Sequence, residues 1–264
     1  MVGKYLYLLK YEIRTILRDP LSLYMCSFPI ILLILATAVF PFIFKSMDTA
    51  NEAALRVTML IVLLIVLTIS SFALSALTAL LLVENKDEHT LSTIAVTPVG
   101  TSGYIRFKMA YIYIMSVIGT MIILFGTKYI AGDEYAIRGV SLFDNLNAAH
   151  IVFFALVNGL FVSALALFQG TFAKNKVEGF AFIKATGIIA LVPILLALES
   201  FRDKLQYALG VLPNFWAIKG IMLELFPIQS DANLSFPLYL AIGAGYSLLL
   251  LLGMYRIFLE RTEY

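Results

Sequence analysis

Long apolar stretches separated by short polar ones set the pattern of the chain. A helix rises about 1.5 Å per residue, so about 20 apolar residues cover the roughly 30 Å hydrocarbon core of a bilayer. Stretches of that length run from Tyr24 to Phe44, Val57 to Val83, Met109 to Ala131, Ile151 to Phe172, Phe180 to Leu198 and Pro237 to Phe258. The second is long enough to tilt or to project beyond the membrane. The pattern predicts an all-α membrane protein in which residues 21–264 form a domain of six transmembrane helices.

Residues 1–20 repeat differently. Tyr5, Leu6, Leu9, Ile13, Ile16 and Leu17 fall near one helical face, with Lys10, Arg14 and Arg18 on another, and Pro20 closes the segment. This predicts an amphipathic elbow helix lying on the cytoplasmic membrane surface; a helix packed on a soluble core is the plainer alternative. The apolar run that follows is too long for a cleaved signal peptide. At the other end, residues 199–236 are too many for a turn. Within them, Leu212 to Phe226 (LPNFWAIKGIMLELF) is amphipathic and aromatic but too short to span. It predicts an external re-entrant or interfacial segment, opened by Pro213 and Asn214, with Trp216 suited to a membrane–water boundary. An ordered external loop would carry the same residues.

The polar run Glu84 to Lys108 carries the most information. Leu91, Ile94, Ala95 and Pro98 recur at i, i+3, i+4 and i+7, a narrow apolar stripe. Asp87 and Glu88 stand at its start, where negative charge stabilises a helix by about 0.3–1 kcal/mol. Thr97 precedes Pro98 and is pushed out of the helical region. Gly100 and Gly103 let the chain turn back. A helix of about ten residues is marginal in water, so its apolar face needs cover. A groove on a partner would supply it; so would the bilayer surface or the elbow helix.

Composition fixes the class. The chain is 61% hydrophobic and 14% charged, with a mean hydropathy of +0.93, against about 45–50% and about 25% in soluble domains. A net charge of +2 gives no case for nucleic acid. A single cysteine, Cys26, excludes a disulfide framework and a cysteine metal cluster. His89 and His150 have no partner at ligand spacing, so neither a metal site nor a catalytic constellation is expected. With both termini cytoplasmic, twelve of the 19 Lys and Arg residues lie inside and seven outside, which places the Glu84–Lys108 loop in the cytoplasm. Charges within the spans are scarce, which argues against an ion-driven carrier. Asn158 and Gln169 are the polar candidates for a substrate path, a helix–helix hydrogen bond being the other role for each. Ser71, Ser75 and Ala79, and again Ala241 and Gly245, have the spacing of close helix contact. Pro193 predicts a kink in the fifth span. Gly100-Thr-Ser-Gly103 lacks the lysine of a phosphate-binding loop.

One stretch carries a family pattern. Val83, Glu84, Lys86, Glu88, Thr90 and Leu91, then Val96-Thr97-Pro98-Val99, then Tyr104, Ile105 and Lys108 resemble the ABC-2 type permeases, the membrane subunits of ATP-driven exporters. That family's form has glycine before the Thr-Leu pair, where this chain has His89. The layout is similar too: basic elbow, Arg18-Asp19-Pro20, six spans, and an aromatic external segment before the last. The resemblance implies that the loop is a coupling helix held in a cleft of a separate nucleotide-binding ATPase subunit, through Glu84, Glu88, Thr90, Leu91, Ile94, Thr97 and Pro98. It implies two permeases with two ATPases, ATP and Mg²⁺ bound by the partner, and an external gate at Pro213 and Trp216. The expectation is a non-enzymatic permease subunit in the plasma membrane that exports a drug, peptide or similar amphipathic cargo. Polysaccharide or lipid export, or a scaffold subunit that transports nothing, are the alternatives.

Overall fold

The computed structural model describes residues 2–47, 52–198, 201, 203–227 and 230–262. Glu199 and Arg202 of the expected external segment, and the side chains of Tyr5 and Leu6, lie outside what is described. The chain begins with α1 (Val2–Arg18). Asp19 then caps α2 (Pro20–Ile34), its carboxylate accepting from the Ser22 amide at 2.9 Å and the Ser22 hydroxyl at 2.5 Å. These bonds favour the charged form and hold the Asp19 carboxyl below its usual range. Pro20 opens the helix where its missing N–H costs nothing. The first span continues through a π turn (Leu35–Val39) into α3 (Phe40–Ser46). Next come α4 (Glu52–Asp87), α5 (Thr90–Ala95) and α6 (Gly100–Ala131). A small hairpin follows, β1 (Ala136–Ile137) with β2 (Val140–Ser141). Its turn residues, Arg138 and Gly139, both have positive φ, the geometry that matches strand twist.

The fourth span is α7 (Ala148–Phe172). The fifth is α8 (Lys176–Thr186) joined by a 3-10 turn (Gly187–Leu191) to α9 (Val192–Ala197). Outside it lie a 3-10 segment (Lys204–Val211) and α10 (Asn214–Leu225), before α11 (Phe236–Thr262). Every expected span is helical, and six segments of the described residues are long and apolar enough to cross a membrane. With 36 residues, α4 is about 54 Å long and outruns the hydrocarbon.

The two central helices are α4 and α7; α7 packs on α4, α6 and α11. Small residues set these distances. A side chain at Gly159 would start 2.8 Å from Val117 Cγ2, so only glycine allows α6 and α7 this close. Ser71, Ser75 and Ala79 are all buried, as close packing of α4 requires. The second small-residue pair behaves otherwise: Ala241 and Gly245 face outward. Asn158 Nδ2 donates to Ser71 Oγ at 2.8 Å and to Thr120 Oγ1 at 3.0 Å, tying three spans together.

Two prolines break spans, and in each case a distant side chain takes the freed carbonyl. In the π turn, the amide that would bond Ala36 belongs to Pro41 and does not exist; Tyr135 Oη donates to the Ala36 carbonyl instead, at 2.8 Å. In the fifth span the break is not at Pro193 itself but over the 3-10 turn before it. A proline clashes with the carbonyl four residues back, here that of Ile189. That carbonyl accepts from the Val192 amide and from Asn214 Nδ2 at 3.0 Å. Both broken spans are therefore pinned by side chains that follow spans in the chain, Tyr135 after α6 and Asn214 in α10. Tyr135→Phe strands a buried carbonyl, and we expect it to cost about 1–3 kcal/mol, read as a lowered thermal midpoint of the purified chain.

Candidate coupling site

The loop from Glu84 to Lys108 forms a shorter helix than its pattern predicts, because α5 covers six residues. It enters through His89, whose φ of 54° is left-handed. Glycine adopts that conformation freely and other residues seldom do, which explains why a glycine pattern fits this position. His89 does the same job with strain, and its carbonyl accepts from the Ser92 hydroxyl at 2.6 Å. At the far side Thr97 Oγ1 donates to the Ile94 carbonyl at 2.7 Å, and Gly100 turns the chain with φ 66°.

Of the expected apolar stripe, Leu91 and Ile94 turn toward the chain itself, while Ala95 and Pro98 are exposed. Leu91 is 4% exposed and belongs to a core with Leu82, Tyr104, Ile105, Met109 and Phe258; Ile94 and Leu8 of α1 pack against that core. The cover for the helix is thus its own membrane domain and elbow. Of the expected coupling residues, Leu91 and Ile94 make the seat, and Thr90 is half-buried beside it. Glu88, Thr97 and Pro98 are exposed. With them on the outer face stand Ser92, Thr93, Ala95 and Val96, the last 86% exposed.

Three consecutive side chains at the end of α4 fasten this seat. Glu84 Oε1 accepts from Lys176 Nζ at 2.7 Å, linking α4 to α8. Asn85 Nδ2 donates to Tyr104 Oη at 2.7 Å, linking α4 to α6. Lys86 Nζ donates to the carbonyls of Gly170 and Thr171 at 2.7 and 2.9 Å and lies 4.5 Å over the Phe258 ring. A cation there satisfies the last carbonyls of α7 and its dipole. So Glu84 is a clamp within the chain.

Deeper, Lys108 Nζ meets Glu12 Oε1 at 2.5 Å, with both side chains 3% exposed. This pair joins α6 to the elbow. The amphipathic reading of α1 missed Glu12, although its spacing from Leu8 and Ile16 puts it on their inward face; Ile13 and Leu17 stay exposed.

The other expected positions lie elsewhere. Asn158 and Gln169 are buried, 3% and 0% exposed, and bonded to neighbouring helices; Gln169 Nε2 donates to Thr186 Oγ1 at 2.7 Å. Pro213 caps α10, and Trp216 Nε1 donates to the Gly210 carbonyl at 3.0 Å. Phe215, Trp216, Tyr207 and Tyr239 form one aromatic cluster. At 12 residues, about 18 Å, α10 is too short to cross the membrane, and it packs on α7 and α11. Lys219 within it is 1% exposed, and burial lowers its ammonium to about 8.

Six apolar spans, an elbow anchored to the third, and a short helix seated under the second and third define a multi-pass permease of the ABC-2 type. The family model described as "Fluoroquinolones export permease protein Rv2686c-like" matches residues 12–255, and the chain belongs to that family. It is 28% identical over 200 residues to the fluoroquinolones export permease protein Rv2686c of Mycobacterium tuberculosis strain H37Rv, covering 75% of this chain and 71% of that protein. Protein MT2760 of strain CDC 1551, of the same description, matches to the same extent.

The Glu12–Lys108 pair gives a clear expectation. Removing one partner leaves a buried, unpaired charge and costs about 3–5 kcal/mol, while replacing both by apolar residues is near neutral. Glu12→Leu and Lys108→Met alone should therefore unfold at lower temperature than the parent. The double variant should recover most of the loss.

Proposed function

We propose that this chain is the permease subunit of an ATP-driven exporter of small amphipathic drugs, with both termini in the cytoplasm. The observation that carries this reading is the two-sided character of α5: Leu91 rooted in the spans, Thr93 and Val96 presented outward. A short helix so arranged transmits force from whatever grips its outer face to α4 and α6. The names of the M. tuberculosis relatives support drug cargo. Charged residues are scarce in the spans, which fits an energy source outside the membrane.

The sequence carries no Gly-x-x-x-x-Gly-Lys-Ser/Thr stretch. On this reading ATP and Mg²⁺ are held by a separate nucleotide-binding subunit, and two permease chains assemble with two of them. Moving a transporter from 1:99 to 99:1 between two states takes about 5.5 kcal/mol of differential stabilisation. That energy comes from nucleotide binding between the ATPases; α5 passes it on. Glu88, Ser92, Thr93, Val96, Thr97 and Pro98 form the gripped face. Leu91, Glu84, Asn85 and Lys86 carry the displacement into the spans. Trp216 and the aromatic cluster around it close the outer end of the path.

Substitutions on the two sides of α5 should separate docking from folding. Thr93→Asp with Val96→Asp alters only exposed positions, so thermal stability should stay within about 0.5 kcal/mol of the parent. Recovery of the ATPase with the permease, and drug export, should be lost. Leu91→Asp buries a charge and should lower stability as well. Normal ATPase recovery and export by the Thr93/Val96 variant would refute the proposal.

A further inference from the structure

Adjoining ends of α7, α10 and α11 line an open cavity of about 830 Å³, within the range of about 300–1,000 Å³ that holds drug-sized ligands. Most of its wall is apolar, including Phe153, Val157, Leu223 and Leu240. Its polar end is built by His150, in the first turn of α7, and Glu224, in the last turn of α10. His150 Nδ1 lies 3.3 Å from Glu224 Oε2, each side chain is 24% exposed, and the Nδ1 atom makes no hydrogen bond. The imidazole packs on Phe236, ring centroids 4.7 Å apart. Asn147, which with Ser235 makes up the other polar lining, accepts from the His150 amide at 2.8 Å through its side-chain oxygen, and its side-chain nitrogen lies 3.4 Å from His150 Nε2. Glu224 is the one carboxylate among the lining residues. The cavity is therefore largely apolar, with one carboxylate, Glu224, beside the His150 ring at its end and aromatic rings flanking it.

We propose that this cavity binds the ammonium-bearing end of an amphipath, with Glu224 as counter-ion and the apolar wall taking its hydrocarbon. A carboxylate in a partly desolvated site bonds an ammonium more strongly than it bonds water-exposed cations. Two sources carry this chemistry: an exported amine, or the choline or ethanolamine head of an outer-leaflet lipid. The transport meaning of the site rests on the exporter reading above; binding itself does not.

Trp216 in α10 is the only tryptophan of the chain and serves as reporter. Its Cβ lies 3.0 Å from where a side chain at Gly243 would begin, and Leu240 and Ala244, on either side of that glycine, line the cavity. The test uses the full chain in phosphatidylglycerol nanodiscs, with two heavy-atom quenchers, 11-bromoundecylammonium and the neutral 11-bromoundecanol. The ammonium probe should quench Trp216 at a roughly tenfold lower concentration. Glu224→Gln should erase that difference, and Ala244→Phe, which fills the cavity, should reduce quenching by both probes. Equal quenching by the two probes, or an unchanged preference in Glu224→Gln, would overturn the proposal. Discs made with phosphatidylethanolamine identify the source: lost quenching there assigns the site to lipid, and retained quenching to an exported amine. A Glu224→Gln chain that keeps its ammonium preference yet still recovers the ATPase and exports would sink this site and leave the exporter reading standing.

Discussion

A helix of six residues has too few internal hydrogen bonds to persist in water, so α5 exists because Leu91 is sunk into the core between α4 and α6. Burying one leucine is worth about 1.5–3 kcal/mol, enough to hold one helical turn in place. The same insertion orients the helix, since a residue that points inward forces those on the opposite side outward. Val96 and Thr93 are exposed as a consequence. The buried seat and the exposed face of α5 are two sides of one packing event, and the proposed coupling role rests on that connection.

Charged and polar groups then stiffen the seat. Glu84, Asn85 and Lys86 each reach a different helix, so the last turn of α4 cannot tilt without disturbing α6, α7 and α8. The Glu12–Lys108 pair couples the elbow to α6. On the opposite side of the chain, Tyr135 and Asn214 hold the two proline-broken spans by the carbonyls those prolines release. The end of the bundle that carries α5 is thus bound by charge and the opposite end by proline-freed backbone, with the Asn158 hydrogen bonds between them.

Much of this was legible in the chain. Spans are read from hydropathy because lipid leaves helices almost no alternative. The elbow, the loop helix and the external α10 each showed their own periodicity. What the sequence hid was direction. The stripe Leu91, Ile94, Ala95 and Pro98 predicts an apolar face but not which neighbour covers it; the chain itself covers Leu91 and Ile94, and Ala95 and Pro98 stay exposed. Glu84 and Lys176 stand far apart in sequence, so nothing local marked their pairing. Glu12 was hidden by the polar residues around it, although its spacing from Leu8 and Ile16 was there to read. The bend of the fifth span was placed at Pro193, while the clash acts a turn earlier, at Ile189. The hairpin at Arg138-Gly139 had a local turn signal that the dominant helical pattern overshadowed.

Side-specific labelling tests the central claim most directly. In a background where Cys26 is replaced, Val96→Cys and Leu91→Cys are introduced singly and exposed to a membrane-impermeant maleimide, in intact cells and in inside-out vesicles. The account predicts modification of position 96 in the vesicles alone, and protection of position 91 in both. Labelling of position 96 from the outside of intact cells, or ready labelling of position 91, would contradict it.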